Sequence, residues 1–240
     1  MKNKPEHLIL KIIVLSLAII YVLKFASDSV LKTYIEIGIG NCKNLPLLCK
    51  SPDSEIINPQ INPVYIKKLQ PFKLDEIEIC APQNFTVIKE KIRKAYYKKE
   101  RDSADANRDT IYLLYEGPGF FMNLFPRLKQ RGVKDDYEFL TRTMYAQTNK
   151  ISGFTDTFFV IIKSIFIPNL GNFEKVVMLK YSAADKKGYI NYSLDRAGNY
   201  FDCNLIDAEE HFFKIYIINK SADLSLEDVF SIISTIRIVE

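Results

Sequence analysis

From Leu8 to Ala26 the chain reads LILKIIVLSLAIIYVLKFA, and only Lys11, Ser16, Tyr21 and Lys24 interrupt its apolar character. At about 1.5 Å per residue the stretch covers roughly 28 Å, close to the hydrocarbon thickness of a bilayer. A soluble core helix carries a polar face; this one is apolar all round, which points to lipid. Lys11 and Lys24 stand near the ends, where a lysine can reach the headgroups. A cleaved signal peptide is the competing reading, with Lys2 and Lys4 as its basic start. A cut after Ala26 would place Lys24 where a small residue is wanted, while a cut after Ser29 would place Ser27 there. Lys2, Lys4 and Lys11 outweigh Lys24 and Lys32, so the charge bias leaves the N-terminus inside and the bulk of the chain outside.

After Ala26 the periodic pattern lapses. Residues 27–71 hold Pro46, Pro52, Pro59, Pro63 and Pro71, and each restrains its preceding residue from helix. They read as a stalk or wrapping segment between a membrane anchor at 1–26 and a globular domain at 72–240. Within the stalk, Cys42 and Cys49 can close a small disulfide loop in an oxidising compartment, or remain thiols in the cytoplasm. A metal would need two further ligands, and His7 and His211, the chain's two histidines, both lie far from this pair.

The domain alternates strand and helix signals. Asp75–Cys80 predicts a short strand. TVIKEKIRKAYYKKE places Ile88, Ile92 and Tyr96 on one stripe and predicts a helix capped by Asn84 or Thr86. Thr110–Glu116 predicts a strand ended by Gly117-Pro118-Gly119. NLFPRLKQRG, DDYEFLTRTMYAQT and TDTFFVIIKSIFIP then predict three helices, with a strand as the alternative for the last because nearly all its residues are β-branched or aromatic. The last seventy or so residues are the most regular. EKVVMLKYSA, KGYINYSLD, NYFDCNLID and FFKIYIINK predict four strands, and the last two pair as a hairpin. Setting Phe201 opposite Ile217, Cys203 opposite Ile215 and Leu205 opposite Phe213 puts the whole apolar set on one face. That register places Asp207 opposite His211 and keeps His211 away from Cys203. A closing helix follows, with Ser225 as cap, Asp228 as its acidic partner, and Leu226, Val229, Phe230, Ile233 and Ile236 as the buried stripe. A strand meander followed by an amphipathic helix gives an α+β fold: an antiparallel sheet with helices packed against it, preceded by one transmembrane helix.

The order EKVVMLKY, GYINYS, YFDCNLID, FFKIYIINK and DVFSIISTIRI, about a third of the chain, resembles the C-terminal half of the PsbP-like fold. That resemblance implies a sheet closed by a helix packed across it, and an accessory or binding role rather than an enzymatic one.

Composition narrows the chemistry. The net charge of +4 comes from interleaved basic and acidic residues, without the concentrated basic face of a nucleic-acid binder. The sequence carries no Gly-rich phosphate loop, nucleophile elbow, EF-hand or zinc spacing, and it nominates no catalytic, cofactor-binding or metal residue. His211, flanked by Glu209 and Glu210, reads as a turn histidine paired with Asp207. Phe120, Phe121, Phe125 and Tyr137 are the interface candidates, with core packing as the alternative. The resulting expectation is a membrane-anchored extracytoplasmic binding or accessory domain with a protein or envelope partner, no cofactor and no nucleic acid. The alternatives are a membrane-tethered hydrolase working through carboxylates, and a cytoplasmic domain whose basic helix Lys89–Arg101 lies on the inner leaflet.

Overall fold

The computed structural model describes residues 5–43, 45–74, 76–83, 85–91, 94–99, 109–166, 176–195 and 198–239. Its helices are α1 (Pro5–Gly38), α2 (Pro63–Ile66), α3 (Phe120–Leu124), α4 (Asp136–Tyr145), α5 (Phe154–Phe166) and α6 (Leu226–Ser234). Its strands are β1 (Ser54–Ile57), β2 (Leu69–Leu74), β3 (Ile77–Pro82), β4 (Phe85–Lys91), β5 (Lys94–Lys99), β6 (Thr110–Glu116), β7 (Val177–Ser182), β8 (Lys186–Asp195), β9 (Gly198–Asp207), β10 (Phe212–Asn219) and β11 (Arg237–Ile238). The chain divides into two compact units, Met1–Cys49 with Ala146–Phe166, and Lys50–Tyr145 with Ile167–Glu240.

The larger unit is an α+β layer arrangement. Its main sheet runs β1-β7-β8-β9-β10-β6-β5-β4, and a small sheet runs β11-β3-β2. Every pairing is antiparallel except β1 with β7, where Ser54 meets Leu179 and Ile57 meets Ser182. Asp53 clamps the start of that edge: its N–H donates to Met178 O at 2.7 Å, and its carboxylate accepts from Met178 N at 2.9 Å. The β9–β10 hairpin has the register the apolar pattern demands, with 201 opposite 217, 203 opposite 215 and 205 opposite 213. All six of those side chains enter one core with Ile111, Leu113 and Tyr115 of β6 and with Val229, Phe230, Ile232 and Ile233 of α6. The helix begins as expected, because Ser225 and Asp228 form a reciprocal capping box.

The opposite face of the sheet takes the helical middle. Phe121 of α3 stacks on Phe139 of α4 at 4.5 Å and meets Phe212 of β10 edge-on at 4.8 Å. Asp136 is buried at the start of α4 and accepts from the N–H groups of Phe121 and Met122, so one carboxylate satisfies two amides of α3. Burial holds its pKa above the ordinary carboxylate value against those two hydrogen bonds.

One expected element is corrected. Residues 85–99 form the β4–β5 hairpin rather than a basic helix, and β5 pairs with β6 so that Tyr96 lies opposite Tyr112. The stripe at 88, 92 and 96 is compatible with a helix, but the segment is rich in β-branched and aromatic residues, and β6 offers it an edge. A long-range pairing of that kind overrides a local period. The cap at Asn84, the stripe residue Ile92 and the charged run 100–108 lie outside the described residues, as does Pro168.

Gly188 shows how closely two strands of this sheet approach. A Cβ built there would lie 2.0 Å from Asn204 O and 2.8 Å from Leu205 Cα, both backbone atoms that cannot swing away. Gly188→Ala should therefore cost about 2–3 kcal/mol through forced strand displacement. Denaturant unfolding of the variant beside the parent chain would measure it, and an unchanged midpoint would show that the strands part freely.

The smaller unit is built on α1. This helix continues past Ala26 to Gly38, and its stretch Val14–Gly38 is long and apolar enough to cross a membrane. Ile35 is fully buried, and α1 packs against α5 and the turn Thr148–Lys150. Cys42 and Cys49 are joined in a disulfide that closes the loop after α1. The Thr148 hydroxyl lies 2.8 Å from Cys49 Sγ and 3.4 Å from Cys42 Sγ.

Candidate ligand cleft

Three turns and strand ends of the larger unit enclose an open cleft of about 290 Å³. Asp185 and Lys186 come from the β7–β8 turn, Asp207, Ala208 and Glu209 from the β9–β10 turn, and Arg237 and Ile238 from β11. Phe213 and Ile236 also line it, so a charged rim surrounds apolar side chains.

The rim charges are held by local pairing. Lys186 pairs with its neighbour Asp185, and Arg237 with Glu78 of β3. Asp207 terminates β9 and organises its own turn: one oxygen accepts from Glu209 N at 3.0 Å and His211 N at 2.9 Å, and the other lies 2.9 Å from His211 Nδ1. The pairing assigns the ring proton to Nδ1. The imidazole stacks on Tyr115 with 5.7 Å between centroids, and Glu209 approaches the same Nδ1 at 4.0 Å. The lining thus holds three carboxylates, Asp185, Asp207 and Glu209, and two cations, Lys186 and Arg237, a formal surplus of one negative charge.

Cys203 takes no part in this site. It lies opposite Ile215 in the register, fully buried, and burial pushes its thiol well above the usual range, so it stays a thiol. Asp202 and Glu138, two carboxylates without a special role in the sequence, have different surroundings. Glu138 pairs with Arg142 on α4, which holds its carboxyl below the ordinary value. Asp202 is fully buried on the sheet face away from α6. Lys214 Nζ stands 2.8 Å from its Oδ1, and Asn191 and Asn204 donate to its Oδ2 at 3.3 and 3.0 Å. Lys214 also donates to Asn204 Oδ1 at 3.2 Å. Burial and the Asp202 charge together push the nearby Tyr216 phenol up to about 12.

Of the aromatic interface candidates, Phe121 is buried in the core, while Phe120, Phe125 and Tyr137 are half-buried. Phe125 stacks on Phe139 at 5.7 Å and Tyr137 on Tyr189 at 6.5 Å, with Lys187 Nζ 4.2 Å from the Tyr137 ring centre. Phe121 and Tyr137 thus meet strand residues, Phe125 meets α4, and none of the four lines the cleft. Among the described residues no three His, Cys, Asp or Glu side chains converge as a metal site would require.

No protein-family model matches this chain, and no curated protein does.

Proposed function

We propose that this chain is a membrane-anchored extracytoplasmic binding or accessory domain, with the cleft between the β7–β8 turn, the β9–β10 turn and β11 as its ligand seat. The observation that carries the reading is the apolar helix α1, long enough to cross a membrane, exposed along residues 14–27 and followed by the Cys42–Cys49 disulfide. A bare apolar helix of that length needs lipid around it. A disulfide persists in an oxidising compartment, which suits the side of the membrane that the charge bias favours. The acid surplus of the cleft supports a protein or envelope component bearing positive groups, and disfavours phosphate-rich nucleic acid.

Membrane-impermeant maleimide on intact cells tests it, using a Cys80→Ser chain so that the buried Cys203 is the one free thiol. Membrane-fraction protein should label from outside after reduction and remain unlabelled before it. Labelling that needs lysis and no reduction would place the domain in the cytoplasm and end this reading.

A further inference from the structure

The helix α5 turns apolar side chains to its exposed side as well as to its buried one. Phe154, Phe158, Ile161 and Ile165 follow each other at helical spacing and form one stripe, and both ends of it, Phe154 and Ile165, are 71% exposed. No polar side chain interrupts the stripe. The buried side of the helix carries Phe159 and Val160 together with two polar groups: Thr157 donates to Gly153 O at 3.0 Å, and the fully buried Lys163 donates to Ala146 O at 2.8 Å.

Its position says what covers that stripe. In the same compact unit α5 packs against α1, the helix suited to span the bilayer. The run Leu8–Ala26 fills the hydrocarbon layer, so the last turns of α1, beginning at Asp28, stand in and just above the headgroups. There α1 presents Val30, Tyr34 and Ile37, which are 68%, 72% and 82% exposed. An exposed tyrosine at that level is a common interfacial anchor. Both helices of this pair therefore leave apolar side chains exposed, α1 at Val30, Tyr34 and Ile37 and α5 at Phe154 and Ile165.

We infer that α5 is a second membrane contact, its outward stripe seated in the interfacial layer beside the point where α1 leaves the bilayer. The contact is with acyl chains and headgroups, in the manner of a monotopic amphipathic helix. It would fix the smaller unit against the membrane and not leave it swinging on a single helix. The inference rests on the reading of α1 as an anchor, and the test separates the two.

The chain contains no tryptophan, so each introduced one is a unique reporter. Full-length Leu17→Trp, Phe154→Trp and Ile165→Trp chains are reconstituted in phosphatidylcholine–phosphatidylglycerol vesicles, with ordinary or brominated acyl chains. Retention of the buried Cys203 in unlabelled form verifies that each variant is folded. Bromolipid should lower emission at least twofold for Leu17→Trp and for either α5 reporter, with blue-shifted spectra. Quenching at Leu17→Trp and at neither α5 position overturns the inference and assigns the stripe to a protein partner. Lack of quenching at Leu17→Trp overturns the anchor itself, whatever the α5 reporters show.

Discussion

Replacing Lys163 with methionine should make the protein harder to unfold at pH 7 and below, with the advantage fading to nothing by about pH 10.5. The amine is fully buried on α5, and burial alone draws its pKa from 10.5 down to about 7. In the unfolded chain it titrates at its ordinary value. Between those two points the unfolded chain binds the proton more readily than the folded one, so stability rises with pH across that window. Below about pH 7 both states are protonated and the full penalty applies; above 10.5 both are neutral and none remains. A shift of this size corresponds to about 5 kcal/mol. Methionine forfeits the hydrogen bond to Ala146 O, which returns about 1 kcal/mol. Denaturant unfolding of both chains in micelles over this pH range measures the difference. Parallel curves at every pH would mean that the amine is hydrated in the folded protein.

Lys214→Met should cost 3–5 kcal/mol, roughly the loss seen when a buried ion pair is left with one member. Asp202 is wholly buried, and the ammonium of Lys214 at 2.8 Å is its countercharge. Asn191 and Asn204 donate to the other oxygen, but neutral amides do not balance a charge. The variant would keep a buried carboxylate without its countercharge. The double change Asp202→Leu with Lys214→Met should recover most of the loss, since it removes both desolvated groups together. A double-mutant cycle on unfolding free energies reads the coupling directly. Additive effects would show that the two side chains are hydrated independently.

Much of this architecture is visible in the order of side chains. The β9–β10 register follows from three apolar pairs, because slipping one residue would turn Phe201, Cys203 and Leu205 to the wrong face. The start of α6 follows from Ser225 and Asp228, whose bonding is local. The β4–β5 hairpin was opaque for the opposite reason: its identity depends on β6, which begins after the charged run 100–108. The cleft was opaque too. Its lining joins residues near 185, 207–213 and 236–238, and no spacing in the sequence reports that convergence. Glu209 was visible as a neighbour of His211, but Asp185, Lys186 and Arg237 looked like ordinary turn and strand-end charges. Lys163 gave no signal at all, because a lone lysine in an apolar helix reads equally well as its one solvent-facing position.

The smaller unit is discontinuous along the chain: its first part ends at Cys49, and its second, Ala146–Phe166, falls in sequence between the two parts of the sheet unit. Cutting the gene after residue 49 to obtain a form without α1 would therefore not release an intact module. The shortened product would retain α5 without the helix and disulfide-closed loop that shelter Phe159, Val160 and Lys163. Such a product should clump unless α5 is removed with α1 and its ends, near residues 145 and 167, are rejoined by a linker. The same constraint holds for any recombination at either end of α1, which would strand its partner α5 more than a hundred residues downstream.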